Sequence, residues 1–204
     1  VDLQLANVKV RLPQREHALF QISQLKIPFG SHILIHGPSG VGKTTLLHLL
    51  AGLFVPDDGH VYVGDHNLSK LSDPVRAQLR RQHFGIVFQK LNLLEHLTGF
   101  ENIMLAEERS TTESRKRAEQ ALAQVQMSSA RDQLSATMSL GEQQRVAVAR
   151  VLARAPEIIL ADEPTSSLDA DKAAKGKTLI VVSHDERIRP HFTSHFDFRQ
   201  WVSA

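Results

Sequence analysis

Apolar and polar positions change rhythm several times along the chain. Residues 8–10, 19–27 and 33–36 read as strands, and helical periodicity follows from about 43 to 53. Pro56-Asp57-Asp58-Gly59 is a turn signal, with a further strand at 60–63. A short polar helix is predicted over 74–81 and a buried strand over 84–88. From 101 to 127 the pattern is helix-forming, with Ala118, Leu122 and Val125 on one face. Another helix follows Ser139 and ends near 154, ahead of two very apolar strands at 158–161 and 179–182. Fully apolar strands mixed with helices predict an α/β core whose sheet is covered on both faces. The helical middle predicts a small lobe over 90–135, inserted into a core built from 1–89 and 136–204.

Composition narrows the classes. The 204 residues suit one well-buried core with a small attached lobe. The absence of cysteine excludes disulfide scaffolds, thiolate catalysis and zinc sites built on cysteine. The 24 basic and 22 acidic residues nearly cancel, so no global field draws nucleic acid to the chain. The most apolar stretch, 46–55, is interrupted by His48 and Gly52 and is too short to span a bilayer. The expectation is a cytoplasmic domain that reaches a membrane only through a partner. The chain begins at Val1 rather than methionine, which suggests a trimmed sequence.

Gly37-Pro38-Ser39-Gly40-Val41-Gly42-Lys43-Thr44 fits G-x-x-x-x-G-K-[ST], after a strand and before an apolar helix. Gly40 and Gly42 permit backbone that turns several N–H groups onto one anion, and the helix N-terminus adds partial positive charge. Lys43 is a point charge for β- and γ-phosphates, Thr44 a hydroxyl for Mg²⁺, and Thr45 a contact for the α-phosphate. The bland alternative is a glycine-rich turn that happens to hold a lysine. Asp162 and Glu163 follow the strand 158–161, at the carboxyl end expected to face the same crevice. Asp162 suits Mg²⁺, and Glu163 suits a general base acting on water. Taken alone, the two acids could equally be a solvated strand end.

The stretch Met138-Ser139-Leu140-Gly141-Glu142-Gln143-Gln144-Arg145 resembles the signature of ABC-type ATPases, usually LSGGQ followed by QR. The family order also fits: phosphate loop, Gln89, signature, Asp162-Glu163, Ser167-Leu168-Asp169, then His184. Within the family, Glu142-Gln143-Gln144-Arg145 and the stretch 86–94 look like the lipoprotein-release, macrolide-export and cell-division branch. The resemblance implies a P-loop NTPase core with a mixed sheet plus an inserted helical subdomain. It implies ATP and Mg²⁺, and a head-to-tail pair of ATPase subunits that drives an integral membrane permease subunit from the inner face of the membrane. It further implies that Ser139 and Gly141 touch the γ-phosphate held by the opposite subunit. Gln89 would sense Mg²⁺ and the attacking water, Asp169 would contact the partner, and His184 would hold both γ-phosphate and Glu163. Ser139 with Glu142 also reads as a helix capping box. A regulatory ATPase of a cell-wall or division complex remains the alternative function.

Departures from the family matter too. Leu140 replaces the first signature glycine, and Leu12 stands near the place of the family's adenine-stacking aromatic. Only residues 170–176 separate Asp169 from Lys177, whereas a parallel crossover with its helix takes at least ~10–12 residues. Residues are therefore expected to be missing near 172–175. The eleven histidines are scattered without a metal-binding pattern; His191 and His195 share i, i+4 spacing, but Pro190 just before them disfavours the helix that would bring them together. The clusters Arg76, Arg80, Arg81 and Arg115, Lys116, Arg117 read as solvated helix faces. The apolar run Phe88, Leu91, Leu93, Leu94 and Leu97 is either core or, as in the family, a groove for a helix of the membrane subunit.

Overall fold

A computed structural model describes residues 1–11, 17–107, 109–164, 174 and 176–202. Leu12 and the Ser167-Leu168-Asp169 element lie outside the described residues, and the expected break near 172–175 falls where only Ala174 is described. The strands form two sheets. β1 (Leu3–Arg11), β2 (Ala18–Ile27), β4 (Asp58–Val63) and β5 (His66–Asn67) make an antiparallel sheet in the order β2-β1-β4-β5. β6 (Phe84–Val87), β7 (Ile158–Asp162), β8 (Thr178–Ser183), β3 (His32–His36) and β9 (Ser194–Asp197) make a parallel sheet in the order β6-β7-β8-β3-β9. The expected mixture of strand directions is thus divided between two sheets.

The inner parallel strands β3, β7 and β8 carry apolar runs because each faces two layers, whereas the edge strand β9 is polar and partly exposed. Ile33 and Ile35, Ile158 and Leu160, and Ile180 and Val182 pack in one core cluster with Leu46, Leu47, Leu49 and Leu50 of α1 (Lys43–Leu50). The intervening Leu34, Ile159, Ala161, Leu179 and Val181 pack in the other, with α4 (Thr112–Gln124) and α5 (Leu140–Leu152). This is the two-residue period of a strand divided between two helical layers. Burying each leucine contributes about 1.5–3 kcal/mol relative to leaving it exposed. The inner face of the antiparallel sheet joins the α1 cluster.

β1 is longer than its alternation predicts. Leu3 and Leu5 are buried, then Val8 and Val10, so the phase slips by one residue. Asn7 takes up the slip in left-handed backbone (φ 50), and pairing with β4 shifts between Ala6 and Lys9. Opposite it, a Cβ on Gly59 would meet the Asn7 carbonyl oxygen at 2.2 Å, so only glycine fits this bulge.

The helical stretch expected over 101–127 is interrupted. α3 covers Gly99–Met104, and α4 begins again at Thr112. Both starts carry reciprocal caps, Thr98 with Glu101 and Thr111 with Ser114, which is why two helices form instead of one. Buried Asn102 ties the lobe together. Its Oδ1 accepts from Leu94 N, and its Nδ2 donates to carbonyls of Leu94 and Thr98 and to Ser135 Oγ. α3 and α4 both pack on α5. α2 (Asp73–His83) bears the first arginine cluster, and there the solvated reading needs correction. Arg76 is largely covered, and it and Arg80 donate to the Gly52 carbonyl just beyond α1. Among the described residues no helix is long and apolar enough to cross a membrane.

Candidate functional site: the nucleotide cradle

β3 delivers the chain at His36, and α1 starts seven residues later at Lys43. Between them Gly40 (φ 79) and Gly42 (φ 114) adopt backbone that L side chains avoid. A Cβ on Gly42 would also press on Leu19 at 3.1 Å and Phe20 at 3.2 Å. No side chain caps α1, so its first N–H groups stay available to an anion. Lys43 is buried. Its Nζ donates to the carbonyls of Gly37 (2.7 Å) and Pro38 (2.8 Å) and stands 3.7 Å from Glu163 Oε1.

The acids come from the end of β7, beside the end of β8. Thr44 Oγ1 donates to Asp162 Oδ2 at 2.8 Å. Asp162 Oδ1 is buried with no hydrogen-bond partner. Burial raises the Asp162 carboxyl above its ordinary value; the Thr44 hydroxyl opposes this, and neighbouring Glu163 adds to it. A hydroxyl, a carboxylate and an orphaned buried oxygen form a hard-oxygen set that fits Mg²⁺. Glu163 turns out of the strand in left-handed backbone (φ 47). Its Oε2 accepts from Ser183 Oγ (2.9 Å) and His184 N (3.2 Å) and lies 2.8 Å from His184 Nδ1. Burial works to raise the Glu163 carboxyl, but the hydrogen bonds from His184 and Ser183 outweigh it and hold the group below the usual value. Glu163 is therefore ionised at neutral pH and already holds a proton-bearing network.

A cavity of about 250 Å³ brings together Ser39, Gly40, Gly42, Lys43, Thr44, Thr45, Gln89 and Glu163, eight residues expected from the sequence. Gly37 borders it through the carbonyl that holds Lys43, and Asp162 and His184 through their bonds to Thr44 and Glu163. Ser139 and Gly141 do not line it. They start α5, where Ser139 Oγ accepts from Glu142 N and Glu142 Oε2 accepts from Ser139 N at 2.8 Å. Leu140 beside them is 65% exposed. Two residues escaped the sequence reading. Ser183, a polar residue closing an apolar strand, holds Glu163, and that placement was its available signal. Leu19 lines the cavity from β2, and nothing local to its sequence points there.

A second concavity, about 500 Å³, lies beside α2, β6 and α5. Leu53, Phe84, Phe88 and Leu105 supply its apolar lining, and Arg80, Arg81, Arg150 and Arg154 its charge. Arg150 donates to the carbonyls of Leu91 and Asn92, and burial pushes its pKa down. No ion pair found among the described residues engages Arg80, Arg150 or Arg154. Of the apolar run after Val87, only Phe88 lines this groove; Leu91, Leu93, Leu94 and Leu97 do not.

A loop of backbone N–H groups, a buried lysine and two strand-end acids define a phosphate-loop nucleotide-binding protein. Comparison with known proteins narrows the class. The family model for ABC transporters matches residues 20–166. An uncharacterized ABC transporter ATP-binding protein of Methanocaldococcus jannaschii is 40% identical over 178 residues, covering 80% of each chain. The macrolide export ATP-binding/permease protein MacB of Burkholderia pseudomallei is 37% identical over 205 residues, which covers 93% of this chain and 31% of MacB. That match is longer than the part of this chain it takes in, so MacB has residues within the span that find no counterpart here. The dimeric structure of MJ0796, a bacterial ABC transporter cassette, superposes with a TM-score of 0.84 at 32% identity, covering 96% of this chain and 94% of MJ0796. A post-hydrolysis state of the same cassette, bound to ADP and Pi, superposes with a TM-score of 0.82. The chain belongs to the ABC transporter family, as one of its ATP-binding, ATP-hydrolysing subunits.

Proposed function

We propose that two copies of this chain pair head to tail, each phosphate loop facing Ser139 and Gly141 of the other, and that ATP hydrolysis between them drives an integral membrane permease. The observation that carries the reading is the convergence of Lys43, Thr44 and Glu163 on one cavity, with Asp162 bound to Thr44, His184 bound to Glu163, and an unpartnered buried oxygen on Asp162. The dimeric MJ0796 cassette supports the pairing, and MacB, an ATP-binding/permease protein of which this chain matches 31%, supports the membrane partner. The working location is then the cytoplasmic face of a membrane.

Lys43 would leave the Gly37 and Pro38 carbonyls for the β- and γ-phosphates, guided by the uncapped start of α1. Ser39, Gly40 and Gly42 would cradle the phosphates, and Thr45 would reach the α-phosphate. Thr44, Asp162 and Gln89 would hold Mg²⁺, which when bound offsets charge on the β- and γ-phosphates. Glu163 accepts a proton from the attacking water, while His184 and Ser183 fix the carboxylate and His184 turns toward the γ-phosphate. The arginine-bearing groove suits a permease helix that presents an acidic side chain among apolar ones.

Glu163→Gln is the deciding experiment. The variant should bind ATP with native affinity, accumulate as a nucleotide-bound dimer by size exclusion, and hydrolyse about 10²–10⁴-fold more slowly. Hydrolysis at the native rate would overturn the assignment of the base. Substrate flux in vesicles that carry the permease distinguishes transport from a purely regulatory ATPase.

A further inference from the structure

Of the five positions that end the parallel strands, Val87 packs in the core, Asp162 and Ser183 belong to the nucleotide site, and Asp197 caps the next turn and binds Arg199; His36 has no such role. It closes β3, directly before the phosphate loop, and pairs in register with Ser183 of β8 on one side and Asp197 of β9 on the other. Its side chain is only 8% exposed. A strand end this deep is ordinarily apolar, as the Ile33, Leu34 and Ile35 before it are. Yet Nδ1 is buried without a hydrogen-bond partner. Glu186 Oε1 stands 3.4 Å away, close enough for an ion pair but not aligned as a hydrogen bond. The surrounding charges are few: Arg189 contacts Glu186 at 3.7 Å, while Asp197 is forked by Arg199.

Glu186 matters because of where it sits. It opens the 3₁₀ turn Glu186–His191, two residues after His184. The segment from Ser183 to Glu186 is held from below by Glu163, which accepts from Ser183 Oγ and His184 N, and by Ser183 Oγ, which accepts from Asp185 N. From the far side, His36 is the buried polar group that meets it. A short shift of Glu186 would let Nδ1–H donate, satisfying both groups and pinning the segment to the phosphate-loop strand.

We propose that His36 is a positioning residue: through Glu186 it fixes the segment that follows His184, and so holds His184 on Glu163. The inference rests on the reading of Glu163 and His184 as the hydrolytic pair. It adds a link from the strand that carries the phosphate loop to the histidine that faces the other end of the phosphate chain. His36 does not line the nucleotide cavity, and its effect passes through Glu186.

The test is a double-mutant cycle on the full chain. His36→Leu keeps the strand end apolar and of similar volume, and Glu186→Gln changes an exposed group that cannot unfold the protein. Each should lower kcat for ATP hydrolysis about tenfold, as a small misplacement at a catalytic group does, with KM for ATP within about twofold of native. The double variant should be no slower than either single. His36→Asn, whose amide puts an N–H near the place of Nδ1, should recover most of the rate. Exchange of the His184 backbone amide should be faster in Glu186→Gln than in the native chain. Independent, multiplying effects in the double variant, or native kcat with native amide exchange in Glu186→Gln, overturn the proposal. Native hydrolysis in Glu163→Gln would instead overturn the underlying reading of the site, while the amide exchange still tests the tie between His36 and Glu186.

Discussion

Two helices of this protein begin where a phosphate is expected, and they begin in opposite ways. α1 follows Gly42, has no side-chain cap, and starts with a buried lysine folded onto the carbonyls of its own loop. α5 follows Ser139, stands exposed, and satisfies its first amides through the Ser139–Glu142 box. A helix start surrounded by its own sheet and loop can stay uncapped, because left-handed glycines and strand-end acids hold it in place. An exposed start must cap itself until something replaces the cap. In the proposed dimer, a phosphate from the other subunit would compete with Glu142 for Ser139 Oγ, which now donates to Glu142 Oε2 at 2.7 Å.

The contrast can be broken most forcefully at α1. Lys43→Met should lower ATP affinity at least about a hundredfold, since it removes a buried charge that Glu163 and the phosphates share; titration with a fluorescent nucleotide reads this directly. Gly42→Ala should destabilise the chain by about 1–3 kcal/mol, from left-handed backbone alone, and weaken nucleotide binding as well. Denaturant unfolding with and without ATP separates the two effects. At α5 the expected loss is smaller: Ser139→Ala removes a cap worth about 1 kcal/mol. Its hydrolysis should fall while ATP affinity stays native, because Ser139 is outside the cavity of its own chain; equal losses in both would place Ser139 in the wrong role.

The smallest effect is electrostatic. Hydrogen bonds from Ser139 hold the Glu142 carboxyl below its ordinary 4.5. A depressed folded value gives stability that is present above the unfolded value and is lost as pH falls through the folded one. The thermal midpoint of Glu142→Gln should therefore lie slightly below native near neutral pH, and the gap should close as the pH falls through the depressed folded value. A gap that persists in acid would mean that the carboxylate is not what caps α5.

How much of this was legible beforehand depended on the range of each interaction. The phosphate loop is eight contiguous residues whose order carries its geometry, and Asp162 and Glu163 announce themselves by ending an apolar strand. The capping box of Ser139 is equally local. The broken helix between α3 and α4 was less visible, because Thr98 and Thr111 cap only once the chain around them has turned. β9 was missed altogether: Ser194–Asp197 has a polar pattern and becomes a strand by pairing with β3. Arg76 and Arg80 looked like a solvated face, yet both reach the Gly52 carbonyl, more than twenty residues away.

By itself the sequence determined the phosphate loop, the acids at the strand end, the alternation of strands with helices, and the family signature. These are short-range patterns, in which backbone conformation and residue chemistry are set by immediate neighbours. Tertiary structure alone decided that the strands divide into two sheets, and that Ser183 and His184 close on Glu163 from twenty residues away. It also decided that Leu19 borders the cradle and that His36 faces Glu186 across the strand end. Each of those contacts depends on which strands become neighbours, and pairing in a parallel sheet is settled by the packing of whole layers.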